Sequence, residues 1–167
     1  SNGGTLIQNS ILNPTTTLFA GTESFGATST VTVSNWFSPT LPLISSINSN
    51  FGSVNLNWGT GTNWWKNQGL GFTRTIAGNL TVGTNCQTFL DSTNAAITIN
   101  IGGSLTVNGK LRAKNTIPGA LTFTAAGNGN IGAAGEFIGI YAGNGNFTFS
   151  VLNLTSAAGG TFCGIRN

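Results

Sequence analysis

The chain has 167 residues, a formal net charge of +3 and 5 % charged residues, whereas roughly 25 % is typical of soluble domains. This sparse charge excludes the dense basic surface on which nucleic-acid binding depends, and the 39 % of hydrophobic residues excludes intrinsic disorder. No apolar run is long enough for a transmembrane helix, and 25 glycines among many Asn and Thr residues favour β-structure with tight turns.

Short alternating segments predict β-strands along the whole chain, and no stretch has the apolar spacing of an amphipathic helix. Within each segment, large apolar residues occupy every second position, which is typical of a strand with one buried face. Clusters of Gly, Asn and Ser separate the segments. The predicted strands cover residues 29–36, 53–58, 79–83, 96–101, 104–109, 120–125, 137–142 and 147–154.

Equivalent apolar positions recur about every 25 residues. Leu80 and Leu105 occupy the same place in two nearly identical phrases, AGNLTVG and GGSLTVNG. Ile97, Leu121 and Phe147 repeat at intervals of 24 and 26 residues. This period predicts a parallel β-helix, or β-solenoid, whose coils of about 25 residues stack Leu80 on Leu105 and Ile97 on Leu121.

The N-terminal third extends the same series, since Val31, Leu56 and Leu80 are spaced by 25 and 24 residues. The residues alone leave an alternative fold open. Short strands at intervals of about 8 to 12 residues also suit an antiparallel β-sandwich or jelly roll.

We predict one all-β domain over residues 1–167, divided into three parts. Residues 1–34 form an N-terminal strand or cap segment, residues 35–75 a tryptophan-rich transition segment, and residues 76–167 the repeat coils. The middle part contains all four tryptophans. Such an atypical segment is expected in a β-solenoid, because its ends must cover an open core and free sheet edges.

Trp64 and Trp65 are the candidate contacts for a glycan. Neighbouring side chains of an extended segment point to opposite sides, so one of the two indoles is expected to be exposed. An aromatic face beside polar groups suits stacking on a sugar ring, and Asn63 and Asn67 would supply hydrogen bonds. The alternative is that the segment only caps the solenoid or forms a transition. Trp36 and Trp58, at the ends of predicted strands, are expected to pack in the core.

The stretch GKLRAKN contains half of the positive charge of the chain. In a strand, Lys110, Arg112 and Lys114 lie on one side, with Leu111 and Ala113 on the other. The three cations are therefore candidate contacts for an anionic glycan, a lipid headgroup or a phosphate. The alternative is a solvated strand face whose charges discourage pairing with another sheet edge.

Cys86 and Cys163 predict either a disulfide, in an oxidising compartment, or two thiols that act as small hydrophobes. Their spacing fits no zinc motif, and the chain has no histidine. Glu23, Asp91 and Glu136 are 68 and 45 residues apart, a spacing that offers no carboxylate pair for acid–base catalysis. We therefore expect no enzymatic activity, no metal and no cofactor.

Within alternating segments, Thr-x-Thr pairs occur at residues 30–32, 73–75 and 122–124. Ice-binding solenoids present such a pair once in each coil. The intervals here are 43 and 49 residues, so the strict motif predicts that coils are skipped, which argues against an ice-binding face.

The stretch GNLTVGTNCQTFLDSTNAAITINIGGSLTVNGKL, with SNFGSVNLNW before it, resembles the β-rich repeats of the giant surface adhesins of Bacteroidota, of the gliding-adhesin and type IX-secreted kind. The likeness covers roughly residues 50–125 and lies in Gly-Asn/Ser-Leu-Thr-Val followed by an alternating strand. It implies a bacterial, secreted, surface-attached protein without catalytic residues. The C-terminal TFCGIRN is not the sorting domain usual in that family, and no signal peptide or initiator Met precedes Ser1, so we expect a processed unit or a fragment.

We therefore expect a non-enzymatic extracellular module with a structural or adhesive role in a cell-surface fibre or adhesin. Its expected partners are other copies of itself, neighbouring modules of the same surface protein, and surface glycans. One alternative is a self-assembling, pilus-like filament subunit whose N-terminal segment adds a strand to the next subunit. The anchors of that segment would be Leu6, Ile11, Leu12 and Leu18. The second alternative is a carbohydrate-binding module that uses Trp64 and Trp65.

Overall fold

The structure is a computed structural model that describes residues 4–8, 25–34, 50–57, 62–64, 72–91, 95–114, 119–142 and 145–166. These residues form seventeen strands, all of them in parallel sheets, and no helix. The predicted all-β class is therefore confirmed.

The strands form one sheet of seven strands, called sheet one, and two sheets of five strands, called sheet two and sheet three. Sheet one contains, in spatial order, β1 (Thr5–Gln8), β2 (Thr30–Val33), β4 (Ser53–Leu56), β7 (Leu80–Val82), β10 (Leu105–Val107), β13 (Gly129–Ile131) and β16 (Leu154–Ser156). Sheet two contains β3 (Asn50–Phe51), β6 (Phe72–Ile76), β9 (Ile97–Ile101), β12 (Leu121–Ala125) and β15 (Phe147–Ser150). Sheet three contains β5 (Thr62–Trp64), β8 (Gln87–Asp91), β11 (Lys110–Lys114), β14 (Glu136–Tyr141) and β17 (Thr161–Arg166).

The order of the strands along the chain defines the coil. A strand of sheet two is followed by one of sheet one and one of sheet three, and the chain then returns to sheet two one layer further on. All pairs within the sheets are parallel. The chain is thus a three-sided β-solenoid with coils about 25 residues apart. The antiparallel sandwich is wrong.

The predicted stacking in the C-terminal part of the chain is confirmed. Leu80 lies beside Leu105, and Ile97 lies beside Leu121, which in turn lies beside Phe147. The phrases AGNLTVG and GGSLTVNG are similar because they enter the same sheet in successive coils.

The stacking expected for the first coils is wrong by two residues. Val31 lies beside Val54 rather than Leu56, and Leu56 lies beside Val82 rather than Leu80. The alternation of a strand has a period of two, so a shift of two residues keeps every apolar side chain on the inner side. Only the lengths of the intervening loops distinguish the two registers, and those lengths vary from coil to coil.

One continuous hydrophobic core fills the interior of the solenoid. The strands of sheet two show how it is built, since Ile97, Ile99 and Ile101 are buried while Thr98 and Asn100 between them are half-exposed. No single coil buries its apolar side, because each inner side chain needs a neighbour above and below. The stability of each coil therefore depends on its contacts with the next.

Asn and Ser residues at the entrance to sheet one tie neighbouring coils together. The Asn79 side-chain oxygen accepts a hydrogen bond from the Ser104 backbone N–H at 2.8 Å. The Asn79 backbone N–H donates to the Ser53 hydroxyl at 3.1 Å, and Asn153 donates through Nδ2 to Asn128 Oδ1 at 3.1 Å. The repeated phrase has Asn or Ser before its first apolar residue because this side chain accepts a hydrogen bond from a backbone N–H of the next coil.

Candidate functional site: the outer faces of the solenoid

The predicted glycan contacts lie largely outside the described residues. The structure places the backbone of Asn63 and Trp64 in β5, at the edge of sheet three. The side chains of both, and all of Trp65 and Asn67, fall outside the described part of the chain. The glycan platform therefore stays a prediction.

The assembly segment proposed for the N-terminus lies on its own chain where it is described. Leu6 belongs to β1, which pairs in parallel with β2 of the same molecule. The other three anchors, Ile11, Leu12 and Leu18, fall outside the described residues.

The two cysteines are too far apart for the disulfide. Cys86 directly precedes β8 and Cys163 lies in β17, with β11 and β14 between those strands. Three strand spacings separate them by about 14 Å, whereas a disulfide needs Cα atoms within about 7 Å. Both residues are thiols in the structure, Cys86 buried and Cys163 half-buried.

The expected ridge of three cations on β11 is wrong. Lys110 is exposed and Arg112 is half-buried, but Lys114 is fully buried and donates from Nζ to the Ala95 carbonyl oxygen at 2.8 Å. Ile140, the residue in register with Lys114 on the next coil, is fully buried as well. Alternation along β11 predicts an exposed Lys114, and it therefore fails at this position.

Arg112 belongs to an ion cluster that joins the last three coils. Its Nη2 lies 4.0 Å from Glu136 Oε1, and Nη1 of Arg166 donates to Glu136 Oε2 at 3.3 Å. The Arg112 guanidinium also lies 3.8 Å from the centre of the Tyr141 ring, a cation–π contact. The cluster thus links β11, β14 and β17, and the spacing of single charges in the sequence gave no signal for it.

Arg74 lies within the core behind sheet two. Alternation in FTRTI directs Thr73 and Thr75 outward and Arg74 inward. Arg74 is the direct neighbour of the buried Ile99 on the next strand. Its guanidinium carbon lies 5.9 Å from the centre of the Phe51 ring. Burial lowers the pKa of Arg74 to about 10, since desolvation disfavours the charged form. The side chain therefore remains protonated at neutral pH, and the outer side of β6 carries no charge.

The outer side of sheet two carries two unbroken rows of hydroxyl and amide side chains. We call these eight residues the hydroxyl–amide face. One row runs through Thr73, Thr98, Thr122 and Thr148, and the other through Thr75, Asn100, Thr124 and Ser150.

The sequence-based argument that intervals of 43 and 49 residues between Thr-x-Thr pairs exclude such a face is wrong. The pairs at 73–75 and 122–124 are separated by one intervening coil, which supplies Thr98 and Asn100, and the following coil supplies Thr148 and Ser150. The strict Thr-x-Thr motif missed both rungs. A search for Thr-x-(Thr/Asn/Ser) at intervals of 24 to 26 residues finds all four.

The geometry of the hydroxyl–amide face follows from the parallel sheet beneath it. Successive strands lie about 4.8 Å apart, and alternate residues of one strand about 7 Å apart, so the side chains form a regular grid. The Thr124 hydroxyl donates to Asn100 Oδ1 at 2.9 Å, which links two rungs of one row. The buried residues between the outer positions fix the strands to the core, so the grid is held rigidly.

Within the described residues, the fold and this face define a parallel β-solenoid with an uncharged polar side. Comparison with protein-family models, with curated proteins and with solved structures yields no match. The described residues include no helix of the length and apolarity that a membrane crossing requires. In the same part of the chain, no three His, Cys, Asp or Glu side chains lie together as metal ligands.

Proposed function

We propose that this chain is a non-enzymatic extracellular module of a cell-surface fibre or adhesin, and that it adheres through the hydroxyl–amide face. The observation that carries the proposal is the continuity of that face over four coils without a charged side chain. Hydroxyl and amide groups both donate and accept hydrogen bonds, so such a grid can pair with the hydroxyls of a neutral polysaccharide surface.

The stacked architecture supports a structural role alongside adhesion. Each coil repeats the same backbone spacing, so binding groups that are weak one by one are presented together on a rigid support. Because the face has no charge, its binding is expected to change little with salt. An adhesin that used Lys110 or Arg112 instead would lose binding as the salt concentration rises.

The proposal is tested by measuring how much protein insoluble cellulose, chitin and agarose remove from solution. At least one of these solids is expected to bind the wild type in both low and high salt. The variant Thr98→Lys/Thr122→Lys places two charges within one row of the face and is expected to lower the retained fraction at least tenfold.

The matched control is Thr81→Lys/Thr106→Lys. These two threonines are also half-exposed outward neighbours in register, but they belong to sheet one. Retention of the control and release of the sheet-two variant supports the proposal. Equal behaviour of the two variants, or no retention of the wild type on any of the solids, overturns it.

Ice binding is the second candidate, and the four complete rungs of the hydroxyl–amide face favour it. A rigid grid of hydroxyl groups can order water into the pattern of an ice surface. The test is ice recrystallisation inhibition with the same variants. Inhibition by wild type and by Thr81→Lys/Thr106→Lys, but not by Thr98→Lys/Thr122→Lys, assigns ice as the surface. Absence of inhibition by the wild type rejects it.

A further inference from the structure

The charged side chains at the surface of the solenoid lie on one of its three sides. Among the side chains that the structure describes, those with a charge at the surface all belong to sheet three, namely Lys110, Arg112, Glu136 and Arg166. The other two described side chains with a charge, Arg74 and Lys114, are buried. A chain with only 5 % charged residues thus gathers its surface charge on sheet three.

These four side chains form a patch with an excess of positive charge, called here the cationic patch. Glu136 accepts a hydrogen bond from Arg166 and lies 4.0 Å from Arg112. Lys110 is the direct neighbour of Glu136 on the adjacent strand. Three positive charges therefore share one carboxylate. Because folding brings these like charges together at a cost, binding of an anion stabilises the arrangement.

Uncharged polar residues flank the cationic patch. Gln87 and Thr161 continue the row of Lys110 and Glu136 on the strands to either side. The row spans three strand spacings, about 14 Å. A guanidinium group binds a carboxylate through parallel N–H donors, and amide and hydroxyl groups exchange hydrogen bonds with sugar hydroxyls. The patch therefore suits a ligand with a few carboxylates among hydroxyl groups.

We propose that the cationic patch is a second binding site, for an acidic polysaccharide whose sugar rings carry carboxylate groups. Lys110, Arg112 and Arg166 bind the carboxylates, and Glu136 holds the two guanidinium groups in place. Charge complementarity and the neutral polar neighbours favour this partner. A nucleic acid carries a charge on every nucleotide and needs many more phosphate contacts than three cations supply. The site lies on a different side of the solenoid from the hydroxyl–amide face.

The test is isothermal titration calorimetry of the full chain with a soluble oligomer of galacturonic acid and with its uncharged methyl ester. The acid is expected to bind in low salt and about tenfold more weakly in high salt, whereas the ester shows no salt-dependent binding. Lys110→Gln/Arg166→Gln removes two of the three cations and is expected to weaken binding of the acid about tenfold. Lys110→Gln alone changes an exposed side chain, so it leaves the packing intact, and is expected to weaken binding about threefold.

The matched control is Thr81→Glu/Thr106→Glu, which lowers the net charge as much as Lys110→Gln/Arg166→Gln does, but on sheet one. Weaker binding in both sheet-three variants, with binding by the control within about twofold of the wild type, supports the proposal. Equal weakening in the control shows an effect of net charge alone and overturns it. Absence of binding by the wild type, equal binding of acid and ester, or binding of an oligodeoxynucleotide as tightly as the acid also overturns it. The hydroxyl–amide face is tested by salt-independent retention on neutral solids, so the two proposals fail separately.

Discussion

Replacement of Phe137 by Ala is expected to lower the free energy of unfolding by about 3–5 kcal/mol, the range for a buried aromatic residue. Phe137 is fully buried at the centre of a cluster of rings. Its ring centre lies 5.2 Å from those of Phe123, Phe149 and Phe162, which belong to sheets two and three. The substitution therefore removes contacts within one coil and between coils at the same time.

Phe162→Ala is the matched control for this loss. It removes the same side chain one coil further on, where the ring is partly exposed, and is expected to cost about 1–2 kcal/mol. Denaturant unfolding followed by circular dichroism measures both values. A loss below 1 kcal/mol for Phe137→Ala, or equal losses for the two variants, would contradict the described packing between sheets.

The substitution of Ala for Gly is expected to have opposite effects at two positions of the same coil. In Gly135→Ala, the new Cβ would overlap the Val107 carbonyl oxygen and lie 2.9 Å from the Gly132 nitrogen, and neither backbone atom can move aside. We expect a loss of about 3 kcal/mol, comparable to other steric conflicts in a core. Two coils approach each other closely at this corner, and glycine allows that approach.

Gly129→Ala is expected to raise the free energy of unfolding by about 0.5–1 kcal/mol, because alanine restricts the unfolded chain. Its new Cβ would meet only side-chain methyl groups, of Leu154 at 3.0 Å and of Val151 at 3.4 Å. Leu154 is 42 % exposed and Val151 is only partly buried, so these methyl groups have room to shift. Thermal and denaturant unfolding measure both variants. A destabilisation of similar size in both would show that the coil spacing differs from the one described.

The sequence predicts the fold well because two periodicities coincide in it. The alternation within strands identifies the inner residues, and the period near 25 aligns Leu80 with Leu105 and Ile97 with Leu121. The register of the first coils is not predictable in the same way. Val54 and Leu56 are equally suitable neighbours for Val31, and the energetic difference between them lies in loop lengths and corner contacts that the pattern does not contain.

The strict Thr-x-Thr motif does not predict the candidate site, whereas the relaxed motif Thr-x-(Thr/Asn/Ser) at the coil period does. Thr98 and Asn100 have no special pattern of their own, and their role arises because the register aligns them between the pairs at 73–75 and 122–124. The burial of Lys114 is a further case. Alternation along β11 predicts an exposed side chain there, and it does not indicate the hydrogen bond from Lys114 to the Ala95 carbonyl oxygen.

The register of sheet two is the claim on which the hydroxyl–amide face depends, and an engineered disulfide tests it directly. In a Cys163→Ser background, oxidised Thr98→Cys/Thr122→Cys is expected to form an intramolecular disulfide, because these residues are direct neighbours on adjacent strands about 4.8 Å apart. In Thr98→Cys/Thr124→Cys, the second cysteine lies two residues further along β12. The two Cα atoms are then about 8 Å apart, which exceeds the limit of about 7 Å for a disulfide. Peptide mapping by mass spectrometry should find the disulfide in the first variant alone. A disulfide in the second variant instead would show that sheet two has a different register, and it would contradict the arrangement of the hydroxyl–amide face.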